Sequence, residues 1–268
     1  MLKEFALEIQ YKVDDTYPNV LRDYWGNDIV SDFYSWFLKA QDVAQNIGVK
    51  YIALGFNIED EAEIEDCAKV LSKIEKVAEI QLIIKGTANK NLDSALLPAL
   101  INVLEKPQII APVQDDNDEV IVEAILASGV NHKAILRTPI DINLTKELNI
   151  LSMDRGLKKE NIIIDPDTGC IGYGIDYGYS IIERIKQAVL AGDETLNTPI
   201  VVFSGYESYK AKEAKSTDFS SSWGDNLTRS LAWEISTTTA LLLAGADIAV
   251  SCHPDVPKKL MELFGGSN

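Results

Sequence analysis

The sequence predicts a single (β/α)8 TIM barrel spanning residues 1–268. Three observations lead there. Eight short, nearly continuously apolar runs rich in β-branched residues recur along the chain, the pattern of parallel strands covered on both faces. Longer amphipathic stretches separate them. Eight such units in 268 residues match a barrel, which takes roughly 250 residues.

The strands are expected at residues 5–10, 50–54, 80–85, 108–111, 134–137, 161–164, 199–204 and 247–251. Helices are expected at 33–46, 61–77, 92–104, 119–127, 143–153, 177–190, 227–244 and 257–264. The segment 61–77 shows the logic, with apolar residues at 64, 67, 68, 71 and 74 on one helical face. Gly48, Gly129, Gly156, Gly192 and Gly245 stand where helix C-terminal caps belong. A doubly wound open sheet is the alternative. It usually has fewer strands and an early glycine-rich turn, whereas residues 10–19 contain no glycine. The glycines at 169, 172, 174 and 178 do not fit GxGxxG, so a dinucleotide site is unsupported.

Composition narrows the function. Lys and Arg number 25 against 41 Asp and Glu, a formal charge of −16. Nucleic-acid and anionic-membrane partners are not expected, because such binding begins with phosphate neutralisation. The acidity serves solubility or the steering of a basic partner. No stretch approaches the roughly 20 apolar residues of a membrane helix. The opening MLKEFALEIQYKVDD carries Glu4 and Glu8 and no small-residue cleavage site, so it is not expected to be a signal peptide. Cys67, Cys170 and Cys252 are odd in number and far apart, with no CxxC. A disulfide framework, a structural zinc and a self-contained iron–sulfur cluster are therefore not expected, and a reducing cytoplasm fits.

In a barrel, function sits on the loops after the strands. Two of these are long, at 11–32 with DYWGND and at 205–226 with YKAKEAK and STDFSSSWGDN. The most unusual follows the sixth strand and reads DPDTGCIGYGIDYGYS from Asp165. Its glycines permit close backbone approach, either to a ligand or to the barrel itself. Asp165 anchors a ligand at the mouth or bonds its own turn, and Thr168 is a candidate for the same. Asp141 is placed to cap the helix that begins near Asn143. Arg137, at a strand end, must find a carboxylate, a phosphate or a carbonyl. His253 follows Cys252, but His132 lies at the opposite end of the barrel, so the two cannot share a metal. An accessible or partner-facing His253 is expected. Trp233 is expected to pack, and Trp223, in a polar loop, to meet a ligand or partner. This census yields no nucleophile–base pair, no metal cluster and no phosphate loop.

The turn and helix DPDTGCIGYGIDYGYSIIERIKQAVLAGDETL, with TPIDINLTKELNIL at 138–151, YKAKEAK at 209–215 and WGD…WE…ALLLAGADI…HP at 223–254, resemble one family. It is the small (delta) subunit of the corrinoid iron–sulfur protein of the acetyl-CoA synthase/carbon monoxide dehydrogenase (acetyl-CoA decarbonylase/synthase) system. Upstream of about residue 130 the similarity is weaker. Asp167 and Cys170 stand where the family pattern DPTTGA has threonine and alanine. Cys170 beside a low-valent cobalt would be a redox-liable thiol.

The resemblance implies a barrel subunit without independent catalytic activity, working with a large subunit that holds the [4Fe–4S] cluster and most of the corrinoid-binding domain. This chain would help enclose the corrinoid (cobalamin) and carry no cluster itself. The methyl group would come from a methyl-tetrahydropterin through a separate methyltransferase and pass to acetyl-CoA synthase. The residues expected at the corrinoid are Asp165, Thr168, Gly169, Gly172, Tyr173 and Gly174, with Arg137, Asp141 and Asn143. Tyr177 would add a contact. Two other readings stay open. One is a stand-alone pterin-dependent methyltransferase barrel, in which Asp165 and Asn143 would hold the pterin. The other is a ligand-free interaction scaffold.

Overall fold

The computed structural model describes residues 3–264. The first strand, β1 (Glu4–Gln10), leads into α1 (Asn19–Trp25), α2 (Asn27–Val30) and α3 (Phe33–Ile47). Then come β2 (Tyr51–Gly55) with α4 (Ile64–Val77), β3 (Gln81–Lys85) with α5 (Lys90–Ile101), and β4 (Ile109–Val113) with α6 (Asp118–Ala127). They are followed by β5 (Lys133–Arg137) with α7 (Ile142–Asp154) and β6 (Ile162–Asp165) with α8 (Ile175–Leu190). The short β7 (Val201–Val202) is trailed by α9 (Ser204–Lys210), α10 (Lys212–Lys215) and α11 (Asn226–Ala244), and β8 (Ile248–Ser251) by α12 (Asp255–Phe264).

The eight strands pair in parallel in the order β6-β5-β4-β3-β2-β1-β8-β7. The ring closes through a single parallel bridge, Ile164 to Ile200, with Ile164 N donating to Pro199 O at 2.8 Å. The expected barrel is therefore present. Side chains alternate across each strand. Ala6, Ala53, Ile83, Ile135, Ile163, Val201 and Val250 belong to one small cluster that fills the interior. Their neighbours Leu7, Ile52, Ile84, Leu136, Ile164 and Ala249 join the larger core beneath the helices. Each large aliphatic side chain buried there contributes about 1.5–3 kcal/mol.

The expected strand at 199–204 shrinks to Val201–Val202, because Phe203 leaves the extended region (φ −91°, ψ 58°) and Ser204 already begins α9. The expected helix at 61–77 opens as a 3-10 turn at Glu61–Glu63, capped by Asp60. Helices occupy much of both long loops, and Trp25, at the end of α1, is fully buried.

Candidate functional site

The C-terminal ends of the strands form a mouth with two unlike sides. On one side the register of β1, β2 and β3 sets Glu8 beside Ala53, Gln10 beside Gly55, and Gly55 beside Lys85. Gly55 leaves room for the Gln10 side chain, whose amide would otherwise have to move from a Cβ 2.5 Å away. Gln10 Nε2 thereby donates to Glu8 Oε1 at 2.8 Å, and Lys85 Nζ reaches the same oxygen at 2.5 Å. Glu8 is fully buried. Lys85 and Arg137 flank the Phe203 ring, at 5.0 Å (Nζ) and 5.6 Å (Cζ) from its centroid, distances at which a cation is attracted to the ring. Above them opens a cavity of 440 Å³, within the usual size of a ligand pocket. Five cations line it, Lys12, Lys85, Arg137, Lys210 and Lys215, against two carboxylates, Asp14 and Glu207.

The other side is the turn after β6. Asp165 accepts from Arg137 Nε at 2.7 Å and from its own turn, Asp167 N, at 2.9 Å. Asp165 thus forms its own turn, as one of its two readings expected, and pairs with Arg137. Asp167 adopts φ +52°, a conformation that Asp tolerates better than a β-branched residue. Two of the four glycines serve the turn's own packing. A Cβ on Gly169 would lie 2.1 Å from Tyr173 O, and one on Gly178 would lie 2.8 Å from Thr168 Cβ. The other two, Gly172 (φ +80°) and Gly174 (φ +88°), would meet nothing closer than 3.8 Å. Helix α11 fastens the turn from behind, with Trp233 Nε1 donating to Ile171 O at 3.1 Å and Ile171 N to Thr237 Oγ1 at 3.3 Å. Tyr173 and Tyr177 point outward, 50% and 62% exposed.

The family model for the CO dehydrogenase/acetyl-CoA synthase delta subunit matches residues 8–244. The chain belongs to that delta-subunit family. A delta subunit of the acetyl-CoA decarbonylase/synthase complex from Methanopyrus kandleri is 31% identical over 252 residues, covering 91% of this chain and 60% of that protein. The Archaeoglobus fulgidus protein of the same name is 33% identical, covering 76% and 46%. The chain thus spans about half to three fifths of the length of the curated relatives it matches. Among solved structures, dihydropteroate synthase from Coxiella burnetii superposes with a TM-score of 0.62 at 13% identity, over 98% of this chain and 92% of that one. The Thermus thermophilus enzyme gives 0.61 at 11%, over 100% and 95%. At such identity these two similarities establish the barrel fold alone. The delta-family match begins at residue 8, so it reaches well into the half where the motifs are weaker.

Within this delta-family barrel the expected residues have distinct fates. Asp141 caps α7, accepting from Asn143 N at 2.8 Å and Leu144 N at 3.1 Å, and Asn143 is exposed. Thr168 is buried and its hydroxyl bonds no described residue, so it does not hold the turn as Asp165 does. Cys170 is 1% exposed, and burial raises its thiol to about 11. It packs as a small apolar side chain in the core. His253 corrects an expectation. It is 2% exposed, stacked edge-on against Tyr24 with ring centroids 4.7 Å apart. The aromatic ring docks on the loop helix α1, which sequence spacing could not foresee. No group of three or more His, Cys, Asp or Glu suited to a metal occurs among the described residues, and no described helix is long and apolar enough to cross a membrane. Trp233 packs as expected, while Trp223 stays 54% exposed beside Phe219.

Arg137 apart, the charged residues of the cavity side escaped the sequence reading. Their signal was present, because Glu8 and Lys85 are charged residues inside otherwise apolar strands. Another buried acid, Glu234 on α11, accepts from Cys252 N at 2.7 Å, and burial raises it to about 7. It ties α11 to the end of β8.

Proposed function

We propose that this chain is the barrel subunit of a corrinoid methyl carrier, enclosing one side of a corrinoid held mainly by a large iron–sulfur subunit. The observation that carries the reading is the turn after β6. In a chain of this family, it presents Tyr173 and Tyr177 to solvent beside Gly172 and Gly174, two positive-φ glycines that add no side chain to the surface. A flat macrocycle needs such a surface, with backbone able to approach and aromatic faces to lie against it. Gly172, Gly174, Tyr173 and Tyr177 would hold the corrinoid, while Asp165, Arg137 and Gly169 shape the turn, Thr168 packs beneath it against Gly178, and Asp141 and Asn143 stand at the start of α7. The corrinoid supplies the methyl-transfer chemistry when bound, and the protein supplies enclosure. Methyltransferase and acetyl-CoA synthase would be transient partners, in a cytoplasmic complex.

The test is co-expression with a large subunit of the corrinoid iron–sulfur protein and an absorbance spectrum of the purified pair. The Tyr173→Ala/Tyr177→Ala variant is expected to keep its melting temperature, since exposed substitutions cost within about 0.5 kcal/mol, and to lose most of the cobalamin absorbance or the partner. Full retention of both overturns the reading. Glycine replacements are poorer probes, because a side chain at φ +80° or +88° costs about 1–2 kcal/mol by itself.

A further inference from the structure

The cavity on the β1–β3 side is separate from the tyrosine turn, and neither Tyr173 nor Tyr177 lines it. Its cations are built in a common way. Lys85 and Arg137 face the cavity with 17% and 12% of their side chains exposed, while their partners Glu8 and Asp165 sit behind them, 0% and 2% exposed. The positive ends of these pairs look inward. Among the described residues, Arg137 engages only its Nε, with Asp165 at 2.7 Å and Asp167 at 3.8 Å, so its two terminal nitrogens remain as a free planar fork. Lys85 Nζ has one acceptor, Glu8. The two lining carboxylates are already held, Asp14 by Thr16 N at 2.7 Å and Glu207 by Lys210 at 2.5 Å.

The backbone decides which anion fits. A phosphate site draws on free backbone N–H groups at a turn. Here the N–H groups of Thr87 and Ala88, at the cavity wall, are taken by Asp93 at 2.7 and 2.9 Å. A planar fork without a backbone nest matches a carboxylate. Phe203 and Tyr206 on the lining supply apolar surface for the body of the molecule.

We infer that this cavity is a binding site for a small organic acid, whose carboxylate docks on the free fork of Arg137 beside Lys85 and whose aromatic body rests on Tyr206 and Phe203. The inference does not depend on the corrinoid reading.

The test is titration calorimetry of the isolated full chain with 4-aminobenzoate and N-benzoylglutamate, each against its amide analogue. Saturable binding of at least one acid is expected, with its amide weaker by about tenfold or more, the cost of losing a charge-assisted pair. Arg137→Lys keeps the charge and removes the fork, and a folded variant is expected to weaken the acid by about tenfold. If that variant does not fold, exposed Lys215→Glu is the second probe, with an expected loss of about threefold. Lack of saturable binding by either acid, equal affinity for acid and amide, or unchanged affinity in the folded variant overturns the site. Cobalamin retention is read separately, on the two tyrosines, neither of which lines the cavity.

Discussion

On the β1–β3 side of the mouth, charged side chains reach inward from the strands and are fixed by one another. On the β6 side, the backbone itself makes the surface, through glycines and left-handed residues held from behind by α11. The first kind of construction depends on complementary charges in a dry interior. The second depends on conformations that few residues adopt. Strain does not follow this division, since Ala88 lines the cavity side while Asp167 lies in the turn after β6. Among the described residues, the non-glycine residues with positive φ are Ala88, Ile140 and Asp167, and all three lie in loops after strands, at the mouth. Strain of this kind collects at functional surfaces.

Three experiments break or sharpen the comparison. The largest effect is expected at Glu8, whose removal leaves Lys85 unpaired in the barrel. Glu8→Ala is expected to cost about 3–5 kcal/mol in urea unfolding, and a Glu8→Met/Lys85→Met double variant to recover most of it. A single-variant loss under about 1 kcal/mol would show that the cavity side is not organised by its charges.

Next comes Glu234, beneath the same side. Its folded value of about 7 lies above the ordinary 4.5. Its contribution is therefore fully present below pH 4.5 and lost as pH rises through about 7. The expected decline is on the order of 3 kcal/mol, followed by unfolding midpoints across that window. Glu234→Gln should flatten the profile, and an unchanged profile would exclude Glu234 as its source.

The smallest effect is on the backbone side. Ile140 is β-branched at φ +53° and 39% exposed, so Ile140→Gly relieves a left-handed side chain. The expected gain is about 1 kcal/mol, visible as a raised melting temperature. A loss would mean that the Ile140 side chain contributes more than its backbone strain costs.

The sequence by itself determined the barrel. Runs such as NIII before Asp165 and the amphipathic period of residues 61–77 are local signals, set by a few neighbouring residues and the solvent. They located the strands and most of the long helices within a few residues. Local chemistry also gave the Asp141 cap and the turn bond of Asp165, because those partners lie two or three residues away. Tertiary structure decided what sequence spacing could not. The pairing of Glu8 with Lys85 joins residues 77 apart through the register of three strands. Trp233 reaches Ile171 across 62 residues, and His253 is buried by a helix from the first loop. In each case a side chain's role is set by what closure of the barrel brings beside it, and a linear spacing carries no record of that distance.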